Sequence, residues 1–281
     1  MLIEFRLRRA ALEDHAALKV FLQQAHFVYR HLDWRSPLEW LGNQPFWLLQ
    51  SQDGIEAALA CPPDPPQVAW IRLFACSRRE HPSEAWRALF PRVREALPAS
   101  ITIAALGLRP WFGQLLEEAG FTIHQRVVML QRNLTLPLPA LEQVPDLHIR
   151  SMDLTDLQAV ENIDAQAFEA LWHNSAGDIY RSWRQAAYAS VAVVNRQVIG
   201  FQFSTLGAFN AHLARLAVHP QWQHRGIGRA LLMDAIAFFT RQHVPQMTVN
   251  TQHNNFASLT LYQQAGFHLT GEDYNVYLYN S

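Results

Sequence analysis

LARLAVHPQWQHRGIGRALL, residues 213–232, joins an apolar run of strand character to a helical run through a loop carrying two glycines. The extended run ends at Val218, and Pro220, which lacks a backbone donor, stops it. Beyond the loop Gln223-His224-Arg225-Gly226-Ile227-Gly228, apolar residues fall at Leu231, Leu232, Ala235, Ile236 and Phe239. That is the 3.6-residue rhythm of a helix, here from about Gly228 to Gln242. Glycines at a strand-to-helix turn leave backbone N–H groups uncovered, and with the positive end of the helix they form a site for phosphate. Arg225 and Arg229 add positive charge beside it. The dinucleotide fingerprint G-x-G-x-x-G is not met, because Leu231 replaces its third glycine, and the P-loop fails for want of a lysine. The residues imply an anion cradle suited to a pyrophosphate. The plainer alternative is a tight turn.

Around this stretch the second half of the chain reads as LHIRSM (strand), a helix opened by Asp153 and Asp156 in capping-box spacing, and the hairpin YASVAVV/NRQ/VIGFQFS. After the helix at the loop come the strand MTVNT, a helix ending Gln264-Ala265-Gly266-Phe267, and a last strand ending NVYLY. The first half shows the same order: a strand at Ile3–Arg9, a helix at Leu12–Gln24, and the hairpin FWLLQS/IEAALAC turning at Asp53-Gly54. The strand VAWIRLFAC, a helix near Glu84–Leu97, ITIAAL, a short helix ending Ala119-Gly120-Phe121, and TIHQRVVML follow. Leu7-Arg8 matches Ile149-Arg150, and Ala119-Gly120-Phe121 matches Ala265-Gly266-Phe267, so one α/β unit is duplicated. Leu134–Asp146, with Pro137, Pro139 and Pro145, reads as the linker between them. The expected domains are 1–133 and 147–281, joined by 134–146.

Gln223-His224-Arg225-Gly226-Ile227-Gly228 resembles the Q/R-x-x-G-x-G/A signature of the GNAT superfamily of N-acetyltransferases. A second signature, N-x-x-A-x-x-L-Y-x-x-x-G-F, is similar to the run holding Asn255, Ala257, Leu261, Tyr262, Gly266 and Phe267. The resemblance covers roughly Leu147 to Tyr279, and the tandem layout is similar to that of mycothiol synthase. It implies an α/β fold of two tandem GNAT-like domains, each a mixed, mostly antiparallel sheet flanked by helices. It further implies acetyl-CoA as co-substrate, held by Leu216, Ala217, Val218, Gln223, His224, Arg225, Gly226, Ile227, Gly228, Arg229, Asn255 and Tyr262. By the same resemblance Tyr262 is the general acid at the departing sulfur, and His212, on the preceding strand, is the candidate base; each also has a purely structural reading, in packing and at the surface. AFEALWHNSAGD falls where the family binds its acceptor, which singles out Glu169, Trp172 and His173, with Asp178, against a reading in which they cap the core. The first half lacks the signatures: counting by the repeat, Leu116 stands for Tyr262 and Arg109 for Asn255, and no glycine lies between Cys76 and Leu97. Its tryptophans (Trp34, Trp40, Trp47, Trp70, Trp86, Trp111) serve either packing or a different ligand.

Bulk features narrow the classes. The chain has 281 residues, 49% hydrophobic and 17% charged, with a formal net charge of −1, as a globular protein without a polyanionic partner would. Nucleic acid is therefore not expected, and a tandem peptidyltransferase using aminoacyl-tRNA is disfavoured. Cys61 and Cys76 make neither metal spacing nor a disulfide framework, so no metal is expected. Lys19 is the only lysine, which argues against Schiff-base chemistry. No signal peptide and no apolar run of ~20 residues is evident, so no membrane is expected and the cytoplasm is the expected compartment. The expected activity is acetyl transfer to a small-molecule amine or peptide N-terminus by a monomer or homodimer; the alternative is a non-catalytic acyl-CoA sensor.

Overall fold

The structure, a computed structural model, describes residues 5–77, 81–138 and 144–279. Pro139 of the linker and the first residues of the opening strand lie outside these. The first half runs β1 (Arg6–Arg9), α1 (His15–Gln24), β2 (Phe27–Arg30), β3 (Phe46–Ser51), β4 (Gly54–Ala60), β5 (Val68–Trp70) and β6 (Leu73–Cys76). It continues with α2 (Pro82–Ala96), β7 (Thr102–Leu106), α3 (Pro110–Glu118) and β8 (Phe121–Asn133). The second half runs β9 (His148–Ser151), α4 (Leu157–Ala167), α5 (Ala176–Gln185), β10 (Tyr188–Val194), β11 (Gln197–Leu206) and β12 (Ala211–Val218). α6 (Ile227–Arg241), β13 (Gln246–Gln252), α7 (Phe256–Gln264) and β14 (His268–Tyr279) complete it.

Two compact units result, Met1–Gln125 with Tyr274–Ser281, and Arg126–Asp273. They depart from the contiguous spans 1–133 and 147–281 at two strands. Residues 127–133 of β8 pair antiparallel with β13 in the second unit, and the end of β14 pairs antiparallel with β7 in the first.

In the first unit β1-β3-β4-β6-β2 form an antiparallel sheet, and β5 pairs parallel with β7. VAWIRLFAC, read from sequence as one strand, is therefore two. The Ile71 N–H donates to Ala104 on β7 and the next N–H, of Arg72, donates to Ala60 on β4 (each 2.8 Å), so the chain changes partner strands between them. β2, not foreseen, is the short apolar segment FVYR.

In the second unit β9, β10, β11 and β12 are antiparallel neighbours, and β12 pairs parallel with β13. The periodic face of α6 is buried here, with Leu232, Ile236 and Phe239 packing in one core with Leu213, Met247 and Val249. The duplication shows in side chains as well as in elements. Arg8 grips Asp14 through two bonds of 2.7 and 2.6 Å, and Arg150 grips Asp156 through two of 2.7 Å. Each aspartate also accepts the backbone N–H three residues before it, which closes the turn leading into α1 or α4.

Candidate active site

Two departures from regular strand structure open the site. On β12, Arg215 pairs with Phe203 and Leu213 with Ser204, so Ala214 is an extra residue, a β-bulge. β12 and β13 then pair only over Ala211–Leu213 and Met247–Val249. From Ala214 to Val218 the edge of β12 toward β13 has no strand partner among the described residues. Parallel strands that separate leave a cleft lined by backbone donors and acceptors.

The glycine loop lies where β12 ends. Gly226 is the N-cap of α6 in the left-handed region (φ 79°, ψ −4°), and among the described residues no side chain caps the helix. A Cβ at this position would be strained and would stand 3.2 Å from Val144 Cγ2. His224 is also left-handed (φ 60°), a backbone conformation found in anion-binding turns. The first N–H groups of α6 have no acceptor within the helix, and the dipole favours an anion there. Gly228 has ordinary dihedrals; a Cβ on it would touch Leu261 Cδ2, Leu216 Cδ2 and Val218 Cγ2 at 3.6–3.7 Å. It therefore sits between β12 and α7, and a large side chain there would fill the cleft.

The other cradle residues divide into anchors and exposed groups. Ile227 is buried in the core with Val218, so it offers only its backbone. Gln223 turns its amide inward to donate to the Val218 carbonyl at 3.0 Å. His224 and Arg225 are exposed, and the Arg225 guanidinium lies 4.9 Å from the centre of the Trp222 ring. Ala217 and Val218 are buried; Leu216 and Arg229 are half-buried.

α7 supplies the second signature. Asn255 is its N-cap, with Oδ1 accepting the Ser258 N–H at 3.1 Å, so it has a structural duty whatever else it binds. Tyr262 is buried and packs against Phe267. Among the described residues its hydroxyl has no hydrogen-bond partner, and burial raises its pKa far above the ordinary phenol value. A group the sequence does not point to fixes this helix. Arg132, buried on β8, donates to the Ala265 carbonyl at 2.7 Å and to the Pro137 carbonyl at 2.7 Å. It occupies the place a Cβ on Gly266 would take, and Gly266 is left-handed (φ 86°). The Ala-Gly-Phe ending thus admits a cation at the negative end of α7.

His212 faces Thr248 across the paired segment, with Nδ1 2.9 Å from Thr248 Oγ1. Thr248 Oγ1 also lies 3.3 Å from the Ala211 carbonyl and from Asn210 Nδ2. With the Thr248 hydroxyl donating to that carbonyl, Nδ1 carries the hydrogen and Nε2 is the basic nitrogen. Burial lowers the His212 pKa, which keeps the ring neutral near pH ~7. Of the candidate acceptor residues, Glu169 is exposed, Trp172 and His173 are half-buried, and Asp178 is buried. Among the described residues no group of three or more His, Cys, Asp or Glu could hold a metal ion, and no helix is long and apolar enough to cross a membrane.

Residues 157–267 match the Acetyltransferase (GNAT) family. The [Ribosomal protein bS18]-alanine N-acetyltransferase of Escherichia coli is 28% identical over 120 residues, 42% of this chain and 79% of that protein. Two solved structures match nearly the whole chain. A tandem GNAT protein from the clavulanic acid biosynthesis pathway aligns with a TM-score of 0.68 at 15% identity, covering 98% of each chain. A GCN5-related N-acetyltransferase from Sphaerobacter thermophilus aligns with a TM-score of 0.61 at 17% identity, covering 98% of this chain and 95% of that one. Residues 157–267 thus carry the GNAT N-acetyltransferase family's sequence pattern, and the whole chain shares the fold of two-domain GNAT proteins.

Proposed function

We propose that the second unit binds acetyl-CoA and transfers its acetyl group directly to a primary amine, on a peptide N-terminus or a small molecule. The observation that carries this reading is the uncapped start of α6 at left-handed Gly226, beside the strand edge left open by the bulge in β12. The pyrophosphate would sit on the N–H groups of the Gln223–Arg229 loop, and the pantetheine arm along the edge Leu216–Val218, passing Gly228. Asn255 would hold the start of α7 in reach of it. A backbone N–H on that edge would polarise the thioester carbonyl.

In the reaction the amine nitrogen forms a bond to the carbonyl carbon. The C–S bond then breaks, and the leaving thiolate takes a proton from the Tyr262 hydroxyl. The unpartnered hydroxyl favours this role over that of a non-catalytic sensor, because a donor already engaged elsewhere could not reach the sulfur. A raised pKa keeps Tyr262 protonated, and a thiolate desolvated in the same cleft is itself more basic. His212 Nε2 would take the proton released by the amine, through water. For the acceptor, the relative that acts on a ribosomal-protein alanine supports a peptide N-terminus held near Glu169, Trp172 and His173. Cytoplasmic location belongs to the same proposal.

Calorimetric titration with acetyl-CoA tests the first step. One site per chain, abolished in Gly228→Trp, is expected; no heat from the unaltered protein would overturn the reading. Turnover is then sought with an alanine-initiated peptide and with a diamine.

A further inference from the structure

The chain between α4 and α5 carries the candidate acceptor residues Glu169, Trp172 and His173, and a buried ion pair anchors it. Arg215 stands on β12 directly after the bulged Ala214. Its Nε donates to Asp164 Oδ2 at 2.7 Å and its Nη2 to Asp164 Oδ1 at 2.8 Å. The same Nη2 donates to the Trp172 carbonyl at 2.6 Å, and the guanidinium carbon lies 3.5 Å from the centre of the Phe168 ring. Asp164, on α4, is wholly buried, and its Oδ1 accepts the Asn174 N–H at 2.7 Å. The pair therefore grips the loop at two backbone points, the Trp172 carbonyl and the Asn174 N–H. Buried ion pairs contribute little net stability compared with apolar replacements, so stability alone does not account for one placed here.

We infer that Arg215 and Asp164 are positioning residues that set the acceptor-binding loop against the bulged segment of β12, an inference resting on the acyl-transfer reading of this unit. The guanidinium is directional: its fork engages both carboxylate oxygens while one nitrogen also reaches the Trp172 carbonyl. Lysine, a point charge on a flexible stem, cannot hold that geometry. Neither residue needs to touch the acetyl donor. Loosening the pair should misplace the acceptor and leave the Gln223–Arg229 cradle as it is.

Two variants make the test. Arg215→Lys keeps the charge, and the double variant Arg215→Met with Asp164→Leu removes both charges, leaving neither buried and unpaired. With whichever amine probe the unaltered enzyme uses, peptide or diamine, both variants should raise the amine KM about tenfold or more, with kcat within about threefold. Acetyl-CoA affinity by calorimetry, and hydrolysis of acetyl-CoA by water, should stay within about twofold. Exchange of the Asn174 amide should accelerate. An unchanged amine KM in both variants would overturn the proposal even if exchange accelerates, as would a parallel loss of acetyl-CoA affinity. An unaltered enzyme that gives no heat with acetyl-CoA marks a different failure, that of the acyl-transfer reading itself.

Discussion

α2 and α6 hold the same place in their units, each following a central strand, and they begin in opposite ways. α2 starts at Pro82, which has no N–H, and the His81 ring accepts the Ser83 N–H at 3.4 Å. α6 starts from left-handed Gly226 with no side-chain cap. Among the described residues, one helix start is capped by a side chain and the other is not. The clefts differ in the same sense. In the first unit the Tyr29 hydroxyl accepts the Leu106 N–H of β7 at 3.3 Å, and its ring stacks on Phe112 with centroids 3.9 Å apart. Phe74 and Trp86 join the same aromatic core, and Leu116 is fully buried. In the second unit the Tyr262 hydroxyl has no partner among the described residues. The comparison teaches how one duplicated fold can do without a ligand site in one copy: capping and aromatic packing can satisfy the groups that a ligand would otherwise satisfy. On this reading the first unit is a scaffold.

The largest effect is expected at Tyr262. Replacing it with Phe should lower kcat by about 10²- to 10⁴-fold, with acetyl-CoA affinity unchanged by calorimetry. Leu116→Tyr in the first unit should create no activity in that background. Undiminished turnover of Tyr262→Phe would break the comparison at its centre, since the cradle without the acid would then suffice.

The next test concerns which strand completes which unit. Tyr277, late in β14, is buried in the first unit's core and donates to Glu117 at 2.8 Å. Tyr277→Ala should destabilise that unit by about 3–5 kcal/mol, read by denaturant titration. Acetyl-CoA should still bind. Lost acetyl-CoA binding alongside an unmoved first transition would mean that β14 serves the second unit instead.

Most of this architecture was legible in the residues, and the omissions have causes. The repeat, the hairpins and the glycine-loop helix were readable because their periodicity and turn residues act locally. The break at Ile71–Arg72 was not, because it depends on which strands lie beside the chain, and VAWIRLFAC has strand character throughout. The exchange of β8 and β14 between units is likewise a matter of pairing partners, for which alternation carries no signal. Within the site, Gly226 was visible as a turn residue and Tyr262 through a spaced signature. Arg215, Asp164 and Arg132 were missed. Each acts across 51 or 133 residues of sequence, and an arginine within a strand does not disclose its partner. Only the unusual sight of a charge within the apolar run LARLAV could have flagged Arg215.

A smaller effect should follow Gly226→Ala. The left-handed conformation costs an alanine about 1–2 kcal/mol, and the Val144 methyl at 3.2 Å resists the added Cβ. If the loop relaxes to relieve that strain, its N–H groups turn away from the anion and acetyl-CoA affinity falls by about tenfold, a free-energy loss of about 1.4 kcal/mol. Calorimetry reads this directly. Full affinity in Gly226→Ala would show that the left-handed cap is not what distinguishes α6 from α2.

The smallest effect separates the units by pH. His31 in the first unit and His212 in the second are both depressed in pKa, each chiefly by burial; for His31 the nearby Arg72 charge adds to it. For either ring the unfolded chain titrates near ~6.5 while the folded chain resists protonation, so its share of stability is intact above that pH. That share is lost as pH falls toward the folded pKa. His31→Gln should therefore lessen acid destabilisation, read as the unfolding midpoint against pH, and leave the rate profile alone. His212→Gln should also remove the acid limb of kcat/KM, a limb lying below pH ~6.5 because the base is needed neutral. If His212→Gln kept that limb in place, His212 would be no more catalytic than His31, and the base would have to be sought among the acceptor-side residues.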